Sequence, residues 1–311
     1  MSDGCSPETC LFLKLISDAV PELAPLTQKW MRDLDFSFNM QETRIFFQAD
    51  SCNKTVVVGM DGFIRLCVYC IAFAKVICRM SNCSNKLDDA KCEEIQKYSE
   101  ESLTLLTNVV IHEITATPEW RQKFSQSPNV KDLFLMSSEY VKHIDQKEVM
   151  VASELFQDAL VFILLHELAH LELKHMPLVS ADQEKEADRM AGKWFLENAT
   201  DQEKDVRCIG IAVVLSWVAI RDIYWEEGDV TQRASGYDRL YCLLAEWLDE
   251  GGESEEVWKG VAILLYHHCC IARAKLFELV WVSSAWMDRV NRLMDYLSSP
   301  NGLNDLDELK C

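Results

Sequence analysis

Apolar positions change their period along this chain. Leu11, Leu13, Leu15, Ile16 and Val20 recur at mixed i+3/i+4 spacing and predict a first helix, punctuated by Pro21 and Pro25. The pattern then becomes short and β-branched. Arg44-Ile45-Phe46-Phe47-Gln48 and Thr55-Val56-Val57-Val58 read as two strands of a hairpin, joined across Asp50-Ser51-Cys52-Asn53. Asp61-Gly62 is a turn signal, and Phe63 to Met80 is apolar at helical length. Lys91 to Thr107 reads as a more polar helix, and Leu133-Phe134-Leu135-Met136 as a third strand. From Glu148 the pattern is helical almost throughout, over 149–175, 181–198, 202–224, 236–249, 254–280 and 284–298. The fold class this predicts is mainly α (α+β), a helical core with a small N-terminal sheet. Residues 1–148 would carry the first helices and the sheet, and 149–311 the helical half, with one compact domain as the alternative.

Composition narrows the function classes. Hydrophobic residues make up 49% and charged residues 26%, which is the composition of a folded globular chain. A formal charge of −19 argues against nucleic acid or an acidic membrane as partner, because phosphate attraction needs a cationic face. Thirteen cysteines, an odd count at irregular spacing, make a poor disulfide framework. The first residues show no cationic region leading into an apolar core, and the longest apolar run, Ile209 to Ile220, stops at Arg221-Asp222. A soluble cytoplasmic protein with reduced thiols is the expectation.

The chemistry is concentrated in Val161-Phe162-Ile163-Leu164-Leu165-His166-Glu167-Leu168-Ala169-His170, which contains H-E-x-x-H. Four residues apart on a helix, His166 and His170 project from one face and can grip one metal ion. Glu167 lies about 100° round from His166 at 3.6 residues per turn, beside the metal and not on it, where a carboxylate can take a proton from an attacking water. A catalytic zinc site needs a third protein ligand. Glu184, in Asp182-Gln183-Glu184-Lys185-Glu186-Ala187-Asp188, is the candidate, with Glu186 its nearest rival. Asp188, one turn beyond Glu184, would accept a hydrogen bond from the distal nitrogen of a ligand histidine, His166 being the expected donor. Met176-Pro177 lets the chain reverse between the two helices. The alternative is a histidine pair arising by chance, or a structural zinc. Against it, burying two imidazoles and a carboxylate in so apolar a helix is costly without partners.

Neighbouring residues carry weaker signals. A three-histidine zinc site fails, since Leu173 stands where glycine is needed and Met176 where the third histidine is needed. His175 is therefore expected at the surface or in support, and Glu172 and Glu186 on a solvated face. Cys67, Cys70, Cys78 and Cys83 sit in an apolar stretch and read as packed thiols more readily than as a metal site. His267 and His268 read as part of a packed late helix, with an oxyanion donor as the alternative.

The two motifs together resemble the gluzincin metallopeptidases, zincin-like enzymes whose metal ligands are two histidines and a glutamate. The short gap between motifs and the run Gln183 to Ala191, with Trp194 nearby, are most similar to the bacterial phage-exclusion peptidases (Lit type). ImmA/IrrE-type peptidases, which cleave a regulator, come second; their second motif usually ends in Ala-Asn where this chain has Ala187-Asp188. The resemblance covers about residues 150–200. It departs at Arg233-Ala234, which occupy the place of a His-Pro pair before Arg239-Leu240. The resemblance implies one zinc ion per chain and an intracellular endopeptidase. The Lit type further implies elongation factor Tu as protein substrate, and an activating peptide or protein as trigger. A non-enzymatic helical binding protein with a structural zinc is the third reading.

Overall fold

The computed structural model describes residues 6–39, 47–80, 144–175 and 180–224, together with Lys97, Val130, Phe134, Arg239, Leu240, Cys242 and Leu243. Helix α1 spans Pro7–Ala19 and starts where the Ser6 hydroxyl accepts from the Thr9 amide. A 3₁₀ turn over Pro21–Leu23 leads into α2, Ala24–Asp33. Three strands follow: β1, Asp35–Asn39; β2, Phe47–Asp50; and β3, Thr55–Gly59. Helix α3 covers Met60–Met80. The later helices are α4, Gln146–Leu173; α5, Ala181–Leu196; and α6, Asp201–Tyr224. Among the described residues the fold class is therefore mainly helical with one small sheet.

The hairpin forms where the sequence places it: the second strand starts at Thr55 as expected, the first runs on to Asp50, two residues past its expected end, and Arg44, Ile45 and Phe46 lie outside the described residues. Phe47 pairs with Val58 and Asp50 with Thr55, antiparallel, across Ser51–Lys54. Asp50 accepts from the Cys52 and Asn53 amides, and Lys54 takes the left-handed conformation that closes the turn (φ 54°). The third strand is elsewhere than predicted. It is β1, which runs parallel to β3 from Asp35↔Thr55 to Asn39↔Gly59, giving the order β1-β3-β2. Asp-Phe-Ser-Phe-Asn alternates, but too briefly to stand out in sequence. Phe134, from the run expected to be a strand, is helical, and the rest of that run lies outside the described residues. So do the helices expected over 254–280 and 284–298, and all but Lys97 of the one over 91–107.

Helix α4 is the centre of the molecule. Every residue from Ala159 to His170 is buried, with α3, α5 and α6 packed round it and β2 lying against it. By length and composition it could cross a membrane, with a window of mean hydropathy 1.6, which goes beyond the expectation drawn from uninterrupted apolar runs; two thirds of that window is instead covered by the rest of the protein. Each large apolar side chain buried on it contributes roughly 1.5–3 kcal/mol. Residues of both halves, from Phe12 through Phe63 and Phe156 to Trp217, share one apolar core. Two contacts fix close approaches. Phe63 packs edge-on against Phe156 with ring centroids 5.0 Å apart. Gly210 of α6 faces Asp158 of α4 so closely that an added Cβ would lie 2.6 Å from the Asp158 Cβ.

Candidate metal centre

An Asp145–Glu148 capping box starts α4, and a Ser180–Gln183 capping box starts α5. Both helices thus begin at fixed residues, which sets where His166, His170 and Glu184 fall along them. Packing of α5 on α4 brings Glu184 over the histidine pair. His166 Nε2 and His170 Nε2 lie 3.0 Å apart, and Glu184 Oε2 is 3.3 Å from the first and Oε1 3.6 Å from the second. Three donors sharing one ion at bond lengths of about 2.0–2.1 Å in tetrahedral geometry would sit roughly 3.3 Å apart. The donor set therefore fits a divalent ion, and two imidazoles with a carboxylate are the donor chemistry zinc takes at catalytic sites. Both histidines are buried, while the Glu184 side chain keeps 23% exposure, so the site opens on that side.

Each histidine is also held by its other nitrogen. His166 Nδ1 lies 2.9 Å from Asp188 Oδ1. His170 Nδ1 lies 2.8 Å from Nδ1 of His175, whose Nε2 is 3.3 Å from Glu186 Oε2. Glu186 therefore faces His175 and not the histidine pair, which separates it from Glu184. His175 is buried, correcting the surface reading. Glu172 is likewise no free surface carboxylate: its Oε1 accepts from Trp30 Nε1 at 2.8 Å and from Lys29 Nζ at 2.7 Å, tying α2 to the end of α4.

Arg239 is the residue the sequence did not single out for a role. It is buried, donates from Nε and Nη2 to the two Asp188 oxygens at 2.7 and 2.8 Å, and places Nη1 3.0 Å from Glu184 Oε2. A bidentate guanidinium of this kind fixes both position and charge. The available signal was a cation at the head of the apolar run Leu240-Tyr241-Cys242-Leu243-Leu244, which has to find a counter-charge when buried.

These neighbours set the charge states. Burial works against the Asp188 carboxylate, but the charge and hydrogen bonds of Arg239, helped by His166, bring it down to about 2. Burial also opposes ionised Glu184, and the His166 hydrogen bond and the Arg239 charge outweigh it, holding the group well below the usual carboxylate range. His166 is pulled down by burial and pushed up more strongly by the charge and hydrogen bond of Asp188, reaching about 9. Burial and the adjacent His166 charge push His170 down to about 3. A cation entering this site must displace the His166 proton, while His170 offers its lone pair without that cost.

Glu167 is buried beside these groups. Its Oε2 accepts from the Ala49 amide of β2 at 2.7 Å. Because that amide points away from β3, the outer edge of β2 lies over the H-E-x-x-H helix. Burial raises the Glu167 pKa, which favours a group that must receive a proton. Cys67 and Cys70 are fully buried thiols in the core, not joined in a disulfide, with Cys67 Sγ 3.8 Å from the Phe134 carbonyl, and among the described residues they belong to no group that could hold a metal; Cys83 lies outside those residues. Arg233-Ala234, His267 and His268 lie outside the described residues.

No solved structure matches the chain. The cell death peptidase of Escherichia coli (strain K12) is 27% identical over 161 residues, which is 50% of this chain and 47% of that protein. The chain thus spans about half the length of the curated relative it matches. The Peptidase U49 family matches residues 64–248, a stretch that contains the whole of α4 and α5 and the Arg239 contact. With its histidine pair, its flanking glutamates and this match over more than half its length, the chain belongs to the Peptidase U49 family.

Proposed function

We propose that this protein is a zinc-dependent endopeptidase of gluzincin type, with His166, His170 and Glu184 as metal ligands and Glu167 as general base. The observation that carries the reading is the meeting of three ligand atoms from two helices beside a buried carboxylate. When bound, zinc would polarise the scissile carbonyl and acidify a water. Glu167 takes the proton of the attacking water and passes it to the leaving amine. Asp188 orients His166, and Arg239 keeps Glu184 and Asp188 ionised and in place. The outer edge of β2 offers backbone groups to an extended peptide, and the Ala49 amide aligns that edge with Glu167.

The substrate in this reading is an intracellular protein, and the location cytoplasmic. The similarity to a cell death peptidase supports a target whose cleavage harms the host cell, and the Lit-type resemblance offers elongation factor Tu in phage defence, released by an activating peptide or protein. The test is Glu167→Gln beside wild type, with metal analysis and proteome-wide N-terminal mapping. An enzyme keeps its zinc and loses its cleavage products in the variant. Identical N-terminal profiles with zinc retained in both, in phage-infected as in uninfected cells, would instead assign a structural ion to a binding protein.

A further inference from the structure

His175 has no part in the reaction as described, yet it is buried and in contact with a proposed ligand. Helix α4 ends at Leu173, and Lys174 adopts the left-handed conformation (φ 57°, ψ 39°). That single residue reverses the backbone, and the His175 amide donates to the His170 carbonyl at 3.0 Å. The reversal brings the His175 ring edge-on to the His170 ring, with centroids 5.0 Å apart and planes at 64°. The short contact is Nδ1 to Nδ1, at 2.8 Å. Two ring nitrogens at that distance need one proton between them. His170 Nε2 faces His166 and Glu184, so a ligating His170 must carry its proton on Nδ1. The direction of the bond follows: His170 Nδ1–H donates to His175 Nδ1. His175 then carries its own proton on Nε2, which faces Glu186 Oε2 at 3.3 Å.

We propose that His175 is a positioning residue for His170, fixing its tautomer and ring plane through a His170–His175–Glu186 chain, as Asp188 does for His166. The inference rests on the zinc reading above. The two supports differ in kind. His166 leans on a buried carboxylate with its own arginine, whereas His170 leans on a second imidazole whose last partner, Glu186, is 58% exposed.

The experiment measures zinc affinity by competition with a chromogenic chelator for wild type, His175→Phe and His175→Asn. Phenylalanine fills the space without an acceptor; asparagine restores an acceptor near the Nδ1 position. His175→Phe should bind zinc roughly 10–100-fold more weakly, the range seen when such outer partners of a metal ligand are lost. His175→Asn should recover most of that loss, while in His175→Phe peptide hydrolysis should fall in kcat with KM little changed. Thermal melts of the metal-free proteins separate this from general destabilisation. Equal zinc affinity in wild type and His175→Phe would overturn the role of His175 while leaving the zinc reading intact. Failure of wild type to bind zinc would overturn the zinc reading itself. Should His175→Phe not fold, ¹⁵N spectra of histidine-labelled metal-free wild type decide: a proton on His170 Nδ1 supports the chain, and one on Nε2 overturns it.

Discussion

At the scale of single residues, the site is a balance of buried charges. Two carboxylates, Glu184 and Asp188, share one guanidinium. Replacing Arg239 with methionine keeps the volume and takes from both anions their permanently charged partner, leaving them the contacts with His166. Breaking a buried pair in this way costs about 3–5 kcal/mol, so urea unfolding of Arg239→Met should show a loss of that order, together with weakened zinc binding. His166 gives a pH signature. Its folded pKa, about 9, is raised above the ordinary 6.5, so its contribution to stability is complete below about pH 6.5 and is lost as pH rises through 9. Metal-free protein should therefore be less stable at pH 9 than at pH 6.5. A curve that stays flat or rises over that window would contradict the Asp188–His166 contact. Zinc binding at pH 7 should release a proton from His166, read by calorimetry in buffers of different ionisation heat.

At the scale of elements, the useful contacts join pieces far apart in sequence. The Ala49 amide faces Glu167 and not the β3 ladder, so Ala49→Pro removes that donor without breaking the sheet. Hydrolysis should fall at least about tenfold; a proline on an outer edge costs the sheet no hydrogen bond, so the loss of stability should not exceed the about 1–3 kcal/mol of leaving buried Glu167 short of one donor. Gly210→Ala acts oppositely. Its new methyl meets the Asp158 Cβ, pushing α6 off α4, and overpacking of this kind costs about 1–3 kcal/mol. Because α6 packs on the ligand-bearing helix from behind, stability should drop more than catalysis at temperatures well below melting.

At the scale of the whole molecule, two properties act together. The metal would stitch α4 to α5, so chelation should lower the melting temperature as well as abolish cleavage, and returned zinc should restore both. The net charge of −19 repels acidic partners, so recognition of such a substrate has to come from shape, apolar contact and strand pairing at β2. Hydrolysis of an acidic protein should accordingly speed up with added salt as repulsion is screened.

What the sequence determined by itself was everything carried by short-range periodicity. Helical spacing of 3.6 put His166 and His170 on one face and Glu184 and Asp188 on another, and β-branched alternation gave the hairpin. The tertiary structure alone decided which faces meet. Arg239 lies 73 positions from His166 and Ala49 lies 118 positions from Glu167, and no period links residues so distant. His175 is close in sequence, yet its contact depends on one left-handed residue, and lysine, unlike glycine or asparagine, does not announce that conformation. Local spacing fixes the direction in which a side chain leaves its helix, whereas packing fixes what it finds there.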